Sequence, residues 1–219
     1  MYYIGFDIGK VNDYSAFVSA LQIPIPEPSK FVEGDPARDD ERLRLINQYR
    51  IRQIERPELG VSYYDQVDRL VEITSHPDIR AVGFCVVVDV TGVGRAVLEM
   101  VEEAGVQNIV PVLITSGNDV TFDEETGIWH VPKKEIISVL QVVIQGRRMK
   151  FSKHLPLAGT FEKELLAFKA KVTKKGNDQY EAWRARDHDD IGLAGGIALW
   201  KGEYDSGFSR TFTQARAEQ

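Results

Sequence analysis

Two short apolar runs, each closed by an aspartate, constrain this chain more than any other feature. Tyr2-Tyr3-Ile4-Gly5-Phe6 stops at Asp7. Ala81-Val82-Gly83-Phe84-Cys85-Val86-Val87-Val88 stops at Asp89, ahead of the turn-like Thr91-Gly92-Val93-Gly94. Runs without polar alternation suit strands covered on both faces of an α/β sheet. A carboxylate at the carboxyl end of such a strand stands at the edge where open α/β sheets bind their ligands.

A third acidic element, Asp187-His188-Asp189-Asp190, precedes Ile191-Gly192-Leu193-Ala194-Gly195-Gly196-Ile197-Ala198-Leu199-Trp200. The apolar spacing predicts a helix, although each of its glycines costs about 1 kcal/mol relative to alanine. A helix that carries that cost is expected to press its backbone on a neighbour, which would bring its first turn toward Asp7 and Asp89. Carboxylates gathered at one place repel each other and drift toward protonation unless a cation neutralises them. Hard oxygen donors favour Mg²⁺ or Mn²⁺. Two such ions, roughly 3.5–4 Å apart, are suited to phosphodiester hydrolysis. Each acid also has a plainer role open to it. Asp7 can form a strand-end turn, Asp89 can cap the next helix, and Asp189 and Asp190 can favour the positive end of a helix.

Between these landmarks the pattern shifts from an antiparallel opening to βαβ units. Strands are expected at 13–23, up to a break at Pro24, Pro26 and Pro28, and at 43–54. A helix over Tyr63, Val67, Leu70, Val71 and Ile73 ends at Pro77. The strand closed by Asp89 is followed by a helix over 93–103 and a strand over 109–114. Val120–Phe122 and Ile128–Val131 form possible hairpin arms around Thr126-Gly127. Pro132 suits the first turn of a helix running to about Gly146, and Phe161, Leu165, Leu166 and Phe168 make another helical stripe. Lys169–Thr173 and Gln179–Trp183 flank Lys174-Lys175-Gly176-Asn177-Asp178, a β-hairpin signal with a basic tip near the acidic pair. The expected architecture is a mixed sheet with helices on both faces. It is divided as one domain over 1–201 and a polar tail over 202–219.

The 219 residues, 43% of them hydrophobic, suffice for a full core. No run is long enough for a membrane helix, and the amino terminus lacks the pattern of a secretory signal. The single cysteine, Cys85, lies in an apolar strand, which favours packing over reactivity. The formal charge of −6 argues against strong autonomous nucleic-acid binding. The charge is uneven, however: residues 146–175 hold nine basic residues (Arg147, Arg148, Lys150, Lys153, Lys163, Lys169, Lys171, Lys174, Lys175) against Glu162 and Glu164. Such a segment either holds phosphates or is a solvated face.

Taken together, Phe6-Asp7-Ile8-Gly9 with Asp13-Tyr14-Ser15-Ala16, then Asp89-Val90-Thr91-Gly92-Val93-Gly94, then His188-Asp189-Asp190 before a small-residue helix resemble the nuclease domain of the tailed-bacteriophage terminase large subunit. The resemblance spans nearly the whole chain in the right order. It implies a ribonuclease H-like fold, with a β-hairpin added near the active site. The implied activity is a metal-dependent endonuclease that cuts concatemeric viral DNA during genome packaging, with little sequence selectivity. By resemblance Asp7, Asp89 and Asp189 would be metal ligands for Mg²⁺ or Mn²⁺, with Asp190 an alternative or supporting acid. Asp13 and His188 would stand in supporting positions, while Arg147, Arg148, Lys169, Lys171, Lys174 and Lys175 would meet DNA. The implied partners are double-stranded DNA, a packaging ATPase domain, the portal and the small terminase subunit, in the cytoplasm of the infected host cell and with no membrane. The family's usual ATPase phosphate loop, Gly-x-x-x-x-Gly-Lys-Ser/Thr, is not in this sequence. The chain is therefore expected to be an excised domain or a separately encoded nuclease. The alternatives are another ribonuclease H-like nuclease such as a resolvase, an inactive DNA-binding module on that fold, or an actin-like or sugar-kinase-type ATPase domain. The last is suggested by Gly5-Phe6-Asp7-Ile8-Gly9.

Overall fold

The computed structural model describes residues 1–9, 13–27, 45–92, 94–174 and 189–207. β1 (Tyr2–Asp7), β2 (Ala16–Pro26) and β3 (Leu45–Glu55) form an antiparallel opening. β4 (Phe84–Asp89) pairs in parallel with the other side of β1. β5 (Ile109–Thr115) and β7 (Ile128–Pro132) extend the sheet in parallel, and β6 (Thr121–Asp123) closes that edge as the hairpin partner of β7. With the short β8 (Met149–Lys150) beside β3, the order is β6-β7-β5-β4-β1-β2-β3-β8. This is a mixed sheet, as expected from the sequence.

Strand periodicity sorts the core into two layers, since successive side chains point to opposite faces. Tyr3, Cys85 and Val87 point with Ala16, Val18 and Ala20 into a layer beneath α4 (Lys133–Gln145), α5 (Ala158–Lys174) and α6 (Asp190–Asp205). Tyr2, Ile4, Phe6, Val86 and Val88 point into the opposite layer, beneath α1 (Tyr63–Ser75), α2 (Pro77–Val82) and α3 (Gly94–Glu103). Cys85 is buried in the first layer, which pushes its thiol up to about 11.

α6 is buried along most of its length, and the cost of its glycines is explained by what lies against them. A Cβ on Gly5 of β1 would overlap the Ala194 carbonyl oxygen, so helix and strand backbones meet directly there. Gly192 receives the ring of Phe168, Gly195 that of Phe161, and Gly196 the side chains of Ile136 and Leu140. The helix is thereby locked onto β1 beneath it and onto α4 and α5 beside it.

Four sequence expectations change. β2 does not break at Pro24 but pairs with β3 through Pro26. β1 pairs only as far as Leu21, and among the described residues no strand bonds that edge of β2 beyond it. Pro24 and Pro26, two residues apart, present the same edge. Ala81 and Val82 belong to α2, which Pro77 opens, and Gly83, at φ 85°, turns the chain into β4. Lys169–Thr173 is not a hairpin arm: α5 continues through Lys174. Its Lys-Ala-Lys alternation reads as a strand, yet both residues are strong helix formers, and extending an existing helix is far easier than nucleating a strand. The other arm, Gln179–Trp183, lies outside the described residues. Finally, α6 runs past Gly202 to Asp205, with Gly202 and Glu203 buried in it.

Candidate active site

β1 and β4 are adjacent and parallel, with Tyr3 opposite Cys85 and Gly5 opposite Val87. Continuing that register by one period brings Asp7 level with Asp89, both on the face covered by α6. They are 7% and 6% exposed. Asp189 occupies the N-cap position of α6 without making a side-chain cap, and Asp190 begins its first turn. The close seat of α6 on Gly5 is what brings this end of the helix over the two strand ends.

Asp7 is held well above the usual carboxylate range, first by burial and then by the negative charges of Asp89, Asp190 and Asp189. It also shares a hydrogen bond with Asp89. Burial raises Asp89 as well, against the opposing effects of its hydrogen bonds with Thr91 and Asp7 and of the nearby Lys133 charge. The Thr91 amide donates to Asp89 Oδ1 at 2.8 Å, and the Thr91 hydroxyl accepts from the Ile114 amide at 2.9 Å. The Asp-Val-Thr turn is thus tied to β5, which fixes the direction of the Asp89 carboxyl group.

Among the described residues two cations reach this acidic end, and sequence reasoning missed both. Lys133, at the junction of β7 and α4, donates from Nζ to Asp189 Oδ2 at 3.1 Å. Arg56, just past β3, pairs with Glu164 and lies 3.6 Å from Asp190 Oδ2. Its guanidinium also sits 5.2 Å from the centre of the Tyr14 ring. Glu164 in turn accepts from the Gly192 amide at 2.7 Å, so Arg56 and Glu164 together brace the first turn of α6. β3 and β7 both run parallel to β1, so Arg56 and Lys133 follow strands that end at the same edge of the sheet as Asp7. Strand direction, known only once the sheet is built, is the signal that singles them out.

The other expected residues fall as follows. Asp13 is exposed on the loop that folds back over Gly9. His188 and Lys175 lie outside the described residues. Lys169, Lys171 and Lys174 are on α5, whose direction is set by Phe161 meeting Gly195 and Phe168 meeting Gly192. The helix therefore advances toward the acidic end. Arg148 is not available to DNA: it is buried, with Nη1 and Nη2 donating to the two Glu203 carboxylate oxygens at 2.8 and 2.9 Å. It is a structural ion pair, and the exposed Arg147 beside it shares its location at the far end of α6. By a rise of about 1.5 Å per residue, Glu203 is roughly 20 Å from Asp190.

The donor set near Asp7 and Asp89 is made of hard oxygens, which fits a divalent cation in its chemistry. Among the described residues, no three His, Cys, Asp or Glu side chains are grouped so as to hold a metal ion as they stand. Asp189 is held by Lys133 and Asp190 faces Arg56. Among the described residues no helix is long and apolar enough to cross a membrane.

Fold and site together define an α/β domain with a mixed sheet and a buried carboxylate pair at the carboxyl ends of two central parallel strands. No family model matches the chain, and no curated protein matches it significantly. Among solved structures, the chain is similar to the large terminase nuclease from thermophilic phage G20c, with 21% identity and a TM-score of 0.49. The match covers 93% of this chain and 82% of that one.

Proposed function

We propose that this protein is a divalent-metal-dependent endonuclease that hydrolyses phosphodiester bonds in double-stranded DNA. The observation that carries this is the Asp7–Asp89 pair: two buried carboxyls side by side, each raised toward protonation, with further acids beside them. A fold gains no stability from crowding carboxylates in this way, but a cation-binding site requires it. Asp7 and Asp89 would hold Mg²⁺ or Mn²⁺, and Asp189 would complete the ligand set, with Asp190 beside it. When bound, such ions supply charge neutralisation and Lewis acidity toward water and phosphate. The chain's own part is to fix the carboxyl groups. The Thr91 turn aims Asp89, and the Arg56–Glu164 brace holds the turn that carries Asp189 and Asp190. Asp13 and His188 are assigned supporting places. Lys169, Lys171, Lys174 and Lys175 are assigned to the DNA backbone, because α5 carries the first three toward the acidic end.

The motif order further supports a role in cutting concatemeric viral DNA during packaging, inside the infected cell. The packaging ATPase, portal and small terminase subunit would then supply the local concentration that a net charge of −6 does not. Plasmid cleavage in Mn²⁺, Mg²⁺, Ca²⁺ or EDTA, comparing wild type with D89N, tests the proposal. Metal-dependent cutting that D89N abolishes is the expected result. A folded wild type that cuts under no metal, or that is stabilised by nucleotide instead, would favour the inactive module or the ATPase alternative.

A further inference from the structure

We infer that Lys133 is a built-in competitor for the metal site: its ammonium holds the Asp189 carboxylate in the metal-free protein and must give that carboxylate up when a divalent cation binds. The inference rests on the metal-site proposal above and adds to it a residue that the sequence motifs do not contain.

Three observations place Lys133 there. It follows Pro132 at the end of β7, on the same edge of the sheet as the ends of β1 and β4, and opens α4. Its Nζ lies 3.1 Å from Asp189 Oδ2, with the two side chains only 15% and 24% exposed. It is also close enough to Asp89 for its charge to act there. A single ammonium therefore reaches both the acid at the start of α6 and an acid of the strand pair.

An ammonium and a divalent cation make the same demand on Asp189, because both use the lone pairs of its carboxylate oxygens. They also repel each other at the separations of such a site. Arg56 cannot take over this role, since it is engaged by Glu164 and faces Asp190. For Asp189 to join Asp7 and Asp89 on a cation, its carboxylate must exchange Lys133 for the ion. Lys133 is accordingly a positioning residue that sets how tightly, and with how many ligands, the site takes up its cation.

The test is Mn²⁺ affinity, measured by calorimetry and by the electron paramagnetic resonance of free Mn²⁺, at one pH and without DNA. Wild type, K133M, K133R and D89N are compared. Removing the ammonium in K133M should tighten Mn²⁺ binding by about tenfold, the scale on which neighbours of metal ligands act. K133R, which keeps the charge, should stay near wild type, and D89N should lose binding. If K133M melts early, K133Q gives the same comparison with a polar head retained against Asp189. Mn²⁺ binding that D89N abolishes but K133M leaves unchanged or weakens would overturn the role of Lys133 while leaving the nuclease proposal standing. Mn²⁺ binding indifferent to D89N, or absent from wild type, would overturn both.

Discussion

The two ends of α6 carry opposite solutions to buried charge. At its carboxyl end Glu203, 1% exposed, receives two hydrogen bonds from Arg148 and one from the Tyr49 hydroxyl at 2.8 Å. Arg148 also donates to the Asn47 carbonyl, so the charges there are matched and their hydrogen bonds made. At the amino end, Asp7, Asp89, Asp189 and Asp190 converge, and among the described residues Lys133 and Arg56 answer them. One helix, seated on one strand, thus joins a matched ion pair at one end to a crowd of carboxyls at the other. The proposed function places the metal site at the amino end, where carboxyls raised toward protonation crowd together, and leaves a structural role to the other.

The sharpest way to break this comparison is to alter one residue at each end. Asp89→Asn should lower plasmid cleavage on the order of 10³-fold while leaving the metal-free protein at least as stable as wild type, because a crowded carboxylate has been removed. Cleavage kinetics and a thermal melt check the two halves of that statement. Arg148→Ala should do the reverse. Stranding Glu203 without its partner should cost about 3–5 kcal/mol in denaturant unfolding, with the cleavage rate per folded molecule unchanged. An equal loss of activity in both variants would mean that the ends are not functionally distinct.

Gly5→Ala acts on the element that joins the two ends. The added methyl would push α6 off β1 at Ala194, costing about 1–3 kcal/mol. The displaced first turn should also lower cleavage by about 10²-fold, the scale of a 1 Å misplacement. Cleavage assays beside urea titrations would show whether the rate falls further than the folded fraction does.

A smaller effect follows from the raised carboxyls. Asp7 and Asp89 bind protons more tightly folded than unfolded, so the folded state holds more protons as pH rises above their ordinary value of 3.8. Stability contributed by these groups is therefore present below that value and is lost as pH rises through their folded-state titration. Melts of metal-free protein should show this loss, and Mn²⁺ should reverse it. In Asp7→Asn the pH dependence should shrink. Smallest of all, Arg147→Ala should leave DNA affinity and its salt dependence unchanged, because Arg147 stands beside Arg148 at the far end of α6.

Much of the acidic end was legible in the sequence because its residues interrupt strong patterns. Asp7 and Asp89 stop apolar runs, and the glycine-rich stretch after Asp190 makes sense only as a helix pressed on a neighbour. The shift from an antiparallel opening to βαβ units was legible in the patterns between these runs, whereas the order of strands in the sheet was not. Lys133 and Arg56 were not found because a lone cation after Pro132, or at the end of the amphipathic strand that contains Tyr49, interrupts nothing. Their importance comes from strand direction, which is a property of the sheet. The basic segment misled for the complementary reason. Counting charges along the chain groups Arg148 with Lys169, whereas the fold buries Arg148 against Glu203 and carries α5 toward the opposite end. Local alternation likewise pointed to a hairpin at Lys169–Thr173, where the helix begun at Ala158 simply continues.

The most direct test of the central claim is a crystal of the protein soaked in Mn²⁺ and measured for anomalous scattering. The account predicts a peak within ligating distance of both Asp7 and Asp89, with Asp189 turned from Lys133 toward the ion. The Arg148–Glu203 end should be unchanged. A well-ordered crystal with no peak at the Asp7–Asp89 pair, or with Mn²⁺ bound only elsewhere, would contradict it.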